Sequence, residues 1–165
     1  MPDVVPPGGR DRDTRGRARN ARPRDAAGRP LPRGEAGVEQ LPDDIDLTPE
    51  AALAAAQRLL DADRPFQAHE VLEATWKAAP EAQRELWRGL AQLAVGLTHV
   101  QRGNPRGSVA LLRRAADRIG GWAGPPPHGL DLAGLRAQAN ALARLVESAG
   151  TGAVAPERLR VRLRG

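Results

Sequence analysis

Cysteine is missing altogether from the 165 residues, which excludes disulfides and thiolate metal sites. Tyrosine is missing too, and aromatics make up only 2% of the chain, as three tryptophans and one phenylalanine. With 41% apolar residues, the core has to be built from Leu, Ala and Val. Strand-forming residues are too sparse for a sheet protein, while abundant Ala, Leu, Arg and Glu favour helix. No apolar run of seven or more residues follows Met1, so a secretory leader is not expected. No stretch approaches the roughly 20 apolar residues of a membrane span. A membrane partner is therefore not expected, and the cytoplasm is the expected location. The length suits one domain of ordinary size.

What is present is unevenly placed. Residues 1–34 carry nine Arg against four Asp, and residues 156–165 carry four Arg against Glu157. Residues 35–155 hold 12 basic and 15 acidic groups, so the net charge of +5 lives at the two ends. A basic globular face for nucleic acid is not indicated; only the arginine-rich arm offers a weak contact. Residues 1–45 hold almost no large apolar side chains and cannot offset their backbone entropy by burial, which predicts a disordered arm. A helical bundle domain is expected over 46–150 and a basic tail over 151–165. The closing ERLRVRLRG alternates apolar residues with Arg, a strand-like period of two. A lone strand lacks a partner, which predicts an extended or frayed end.

Five helices are expected. Thr48-Pro49-Glu50 reads as cap, first position and first-turn acid of the first, with Leu53, Ala56, Leu59 and Leu60 on one face. The second runs from about Phe66 to Ala78 and the third from about Glu81 to Gln101. Gly103-Asn104-Pro105 stops one helix and starts the next, over about 105–119. The fifth covers about 131–147. Pro65 echoes Pro105, Leu53 echoes Leu93 and Leu72 echoes Leu112, all at a shift of 40. The chain therefore reads as all-α: two helical hairpins plus a closing helix.

Chemistry concentrates in FQAHEVLEATW, residues 66–76. His69, Glu73 and Trp76 form an i, i+4, i+7 row beside the apolar arc of the second helix, while Glu70 points away. The third helix is apolar over more than half its circumference. Its remaining strip holds Glu85, Gln92 and His99 at spacings of seven, with Gly89 and Gly96 alongside. Two glycines on one side predict close approach of another backbone or of a ligand. Packed as a hairpin, the two helices would bring His69 and Glu73 towards Gln92 and His99, flanked by Trp76 and Trp87.

Three roles fit that cluster: a satisfied polar network fixing helix register, a pocket for a small molecule or peptide, and a metal site of His69, Glu73 and His99. The metal set lacks the HExxH pairing and any thiolate. No catalytic set is complete, and Ser108 falls on the buried face of its helix.

Phe66, Ala68, His69, Glu70, Leu72, Glu73 and Trp76 also form a pattern with GLAQLAVGLTHVQRGNPRG (89–107) and LLRRA (111–115). In order and spacing this resembles the signature of a prokaryotic family, number 309 among the domains of unknown function, over about residues 48–120. The resemblance implies a compact helical bundle with no established activity. By motif position it singles out His69, Glu70, Glu73, Trp76, Gln92, His99 and Asn104, the last already explained as a helix cap. The family pattern has a glycine and aromatics just before Ala-His-Glu, where this chain has Asp63 and Arg64.

The sequence thus leads to a non-enzymatic module that binds an unknown protein or small molecule without a cofactor. Its candidate ligand residues are His69, Glu70, Glu73, Trp76, Trp87, Gln92 and His99. The alternative is a metal-dependent, hydrolase-like enzyme in which His69, Glu73 and His99 hold a divalent ion.

Overall fold

A computed structural model describes residues 46–165; the disordered arm expected over 1–45 lies outside the described residues. The described chain folds into five α-helices: α1 (Pro49–Asp61), α2 (Pro65–Ala78), α3 (Glu81–Gln101), α4 (Pro105–Gly120) and α5 (Leu132–Ala149). Their starts follow from local chemistry. Thr48 Oγ1 accepts from Ala51 N at 3.2 Å, Asn104 Oδ1 from Gly107 N at 3.1 Å and Asp131 Oδ1 from Gly134 N at 3.0 Å. Each side chain satisfies a first-turn N–H that has no carbonyl partner within its helix. Proline opens α1, α2 and α4, where its missing N–H costs nothing.

Each helix packs on the next in chain order, and the α3–α4 contact is the most extensive. α3 is the middle helix, packed between α2 and α4: Leu86, Trp87, Leu90, Leu93 and Leu97 are all nearly or wholly buried. Its two buried glycines face α4. A Cβ on Gly89 would lie 2.9 Å from Arg118 Cβ, and one on Gly96 would lie 2.9 Å from Leu112 Cγ. The close approach predicted from their spacing is that of a neighbouring helix backbone. Their poor helix propensity, roughly 1 kcal/mol each, is offset by the tight crossing they permit.

The sequence leaves the last residues extended or frayed, and the structure packs them against the domain instead of fraying them. Leu159, Val161 and Leu163 are buried at 7%, 1% and 1% exposure, and Arg158, Arg160, Arg162 and Arg164 face outward. The period of two is real, and its pairing partner is partly a side chain. The Gln57 amide donates from Nε2 to Val161 O at 3.0 Å and accepts from Leu163 N at 2.9 Å, as a neighbouring strand would. On the other side, Asp131 N donates to Leu163 O and Gly165 N to Gly129 O, next to an isolated antiparallel bridge between Leu130 and Arg164. Arg160 grips Asp63 through both carboxylate oxygens, at 2.9 and 3.0 Å. Sequence patterning sees strands pairing with strands; it does not see a helix glutamine doing so. This strap joins α1 to the loop before α5.

Asp63 has φ +60°, the left-handed conformation that glycine adopts most easily. It stands in the turn between α1 and α2. The Arg160 grip on its carboxylate, and Gln101 Nε2 donating to its carbonyl at 2.8 Å, hold a non-glycine residue in that conformation.

Candidate functional site

The row on α2 forms as its spacing requires. His69 Nε2 lies 3.0 Å from Glu73 Oε2, and Lys77 Nζ lies 3.1 Å from Glu73 Oε1, each one helical turn along. The His69 side chain is 20% exposed. Burial pushes its imidazole below the usual range, against the opposing pull of the Glu73 carboxylate and the Phe66 carbonyl. The neutral ring is therefore favoured. Two half-buried aromatics flank the pair. The Phe66 ring sits 5.6 Å from His69 with the Arg102 guanidinium over it at 5.5 Å, and Arg88 covers Trp76 at 5.5 Å.

Gln92 and His99 do not join this pair. Gln92 Oε1 accepts from Arg118 Nε of α4 at 2.9 Å, and Arg118 also pairs with Glu85. His99 Nδ1 meets Asn104 Nδ2 at 3.1 Å, at the cap of α4. Burial, with the Arg102 charge adding to it, lowers the His99 pKa. The cause is the helical wheel of α3. Glu85, Gln92 and His99 share their side with Gly89 and Gly96, and that glycine side packs on α4 rather than on α2. The expected core cluster of His, Glu and Gln is therefore two separate arrangements on the flanks of α3. Among the described residues, no group of three or more His, Asp or Glu is placed to hold a metal ion. The trio His69, Glu73 and His99 is not assembled.

The other singled-out residues divide in the same way. Trp87 is fully buried and donates from Nε1 to Gln83 Oε1 at 3.2 Å, so it is chiefly core. Trp76 is half-buried at the edge of the row, and Glu70 is partly exposed. Asn104 serves as the α4 cap, as expected.

Sequence reasoning missed the residues that complete these arrangements. Arg88 and Arg102 stack on the aromatics, Arg118 takes up the polar strip of α3, and His128 Nδ1 lies 2.7 Å from Glu50 Oε1. Helical spacing alone gave no means of choosing among the many arginines. His128, at φ +57°, sits in a loop that carries no periodic signal.

Among the clefts on the surface of the described residues are two of note. One of about 240 Å³ lies where Leu47 and Pro49 meet Ala74, Ala78 and Trp87. The other, of about 620 Å³, lies between the start of α3 and the end of α4. Among the described residues, no helix is long and apolar enough to cross a membrane.

Five consecutive helices, each packed on the next over a leucine- and alanine-rich core, define an all-helical bundle domain. Residues 53–111, from α1 into α4, match the family described as "Domain of unknown function (DUF309)", to which this part of the chain is similar. A 48-residue stretch is 44% identical to the "Uncharacterized protein YpuF" of Bacillus subtilis (strain 168). That stretch spans 28% of this chain and 28% of that protein. No solved structure matches the chain.

Proposed function

We propose that this domain is a binding module and that its contact face is the exposed edge of α2, where Phe66, His69, Glu73 and Trp76 stand in one row. The observation that supports this reading is the pair of arginine-covered aromatics, Phe66 under Arg102 and Trp76 under Arg88, on either side of a half-buried histidine. Aromatic and arginine side chains dominate contact energies at interfaces, because they bring large area and little rotameric freedom. Here both rings are already held in place, so a partner would order few side chains on docking. His69 supplies a polar anchor between them, and its Glu73 partner fixes the ring orientation. A protein or peptide segment lying along the edge is the partner this shape fits.

Selection of binders from a random peptide display library tests the proposal. The selected peptides are expected to shift the backbone resonances of Phe66 and His69 and the indole resonance of Trp76. Their affinity should fall at least about tenfold in Trp76→Ala, in the range of an interface hot spot. Peptides that map only to other faces, or that bind Trp76→Ala as well as wild type, overturn it.

A further inference from the structure

We infer that the cleft between the first turns of α3 and the last turn of α4 binds an organic monocation, a guanidinium or ammonium group on an apolar stem. This goes beyond the α2 edge and rests on a different part of the molecule. The cleft is lined by Ala82, Glu85 and Leu86 of α3, by Asp117 and Arg118 of α4, and by Trp122 just beyond it. Its volume of about 620 Å³ lies within the span of small-molecule sites.

Three features choose the ligand. The first is charge: two carboxylates and one guanidinium line the cleft, and that guanidinium is already committed to both Glu85 and Gln92. Asp117 is exposed at the mouth of the cleft and forms no ion pair or side-chain hydrogen bond among the described residues. The second is its position in the last turn of α4, where the helix dipole is already negative and a carboxylate is disfavoured. Glu85 is answered by Arg118 and Arg88, which leaves Asp117 as the carboxylate of the cleft without a cationic partner. The third is Trp122, whose ring is half-buried and tethered by its Nε1 donating to Pro125 O at 3.1 Å. A fixed indole face beside an unanswered carboxylate attracts a cation to the ring and to the charge together. Leu86 and Ala82 supply apolar wall for the stem. An anion would meet the unpaired Asp117 carboxylate, and a neutral molecule would gain nothing from it.

Titration of the full chain with butylguanidinium, followed through the three indole N–H resonances, tests this. The Trp122 signal should shift saturably in the low millimolar range, the order expected for a ligand of about eight heavy atoms in an open site. Butylurea, the neutral counterpart, should leave it unmoved. Asp117→Asn should weaken binding roughly fivefold, the worth of one partly exposed charge contact. Trp122→Leu, followed through the backbone resonances of Asp117 and Arg118, should abolish it. Equal shifts with butylurea, unchanged affinity in Asp117→Asn, or no saturable response overturns the inference. The same titration with a blocked Gly-Arg-Gly tripeptide separates the two sources of such a group. Binding comparable to butylguanidinium points to an arginine of a protein partner, and binding of the free cation alone points to a small metabolite. Butylguanidinium binding does not depend on Trp76, so peptides that bind Trp76→Ala as well as wild type would overturn the α2-edge reading and leave this titration unchanged.

Discussion

Gly96 tests the packing of the domain directly. A Cβ built there would lie 2.9 Å from Leu112 Cγ and Cδ2, and 3.2 Å from Leu112 N. Leu112 is completely buried, and its amide belongs to the α4 backbone, so α4 itself must move to make room. Two effects of Gly96→Ala then compete. Alanine is the better helix former by about 1 kcal/mol, which stabilises the variant. Forcing a methyl into a packed crossing costs about 1–3 kcal/mol. With backbone among the clashing atoms, the upper part of that range applies, and the variant should be destabilised by about 1–2 kcal/mol. For a domain of this size that lowers Tm by roughly 4–8 °C. Thermal unfolding followed by far-ultraviolet circular dichroism measures it. Gly152→Ala is the control, because a Cβ there meets nothing within 4 Å. A Gly96→Ala protein that melts at or above wild type would refute a tight α3–α4 crossing.

The remaining predictions concern other links in the structure. His69 and His99 both titrate below 6.5 in the folded chain, so over that window the unfolded state binds more protons. Their contribution to stability is complete above about pH 6.5 and is lost on acidification. The urea midpoint should fall between about pH 7.5 and 5.5, and fall less in His69→Gln; a midpoint that rises on acidification contradicts this. Gln57→Ala removes the partner of a buried carbonyl and amide and should cost about 1–3 kcal/mol, while Leu163→Ala should cost about 2–4. Denaturant unfolding measures both, and near-wild-type midpoints would mean that the strap adds nothing. Protein purified without a histidine tag should carry well below stoichiometric zinc, iron or manganese. Stoichiometric metal that disappears in Glu73→Ala would restore the hydrolase-like alternative.

The helices were legible in the sequence because caps, prolines and one-faced leucine patterns act within a few residues. Thr48, Pro65, Asn104 and Pro105 mark boundaries that the structure keeps. The His69–Glu73 contact was legible for the same reason, since both groups sit on one helix. The partners of Gln92 and His99 were not, because the side that α3 turns towards each neighbour depends on the crossing. The two glycines held that information: a strip that includes them belongs to the closest helix, which is α4. The strap was half legible. Its alternation was visible, but its partner is a single amide on a helix about a hundred residues earlier, which no local pattern reveals.

The glutamine of α1 that answers the final residues ties the two extremes of the described fold together. Those bonds span 104 and 106 positions, so the loop they close holds α2 to α5. They close the domain like a buckle. A protease cut in the exposed 121–126 loop would therefore leave two fragments still clasped to one another, migrating as one particle until a denaturant parts them.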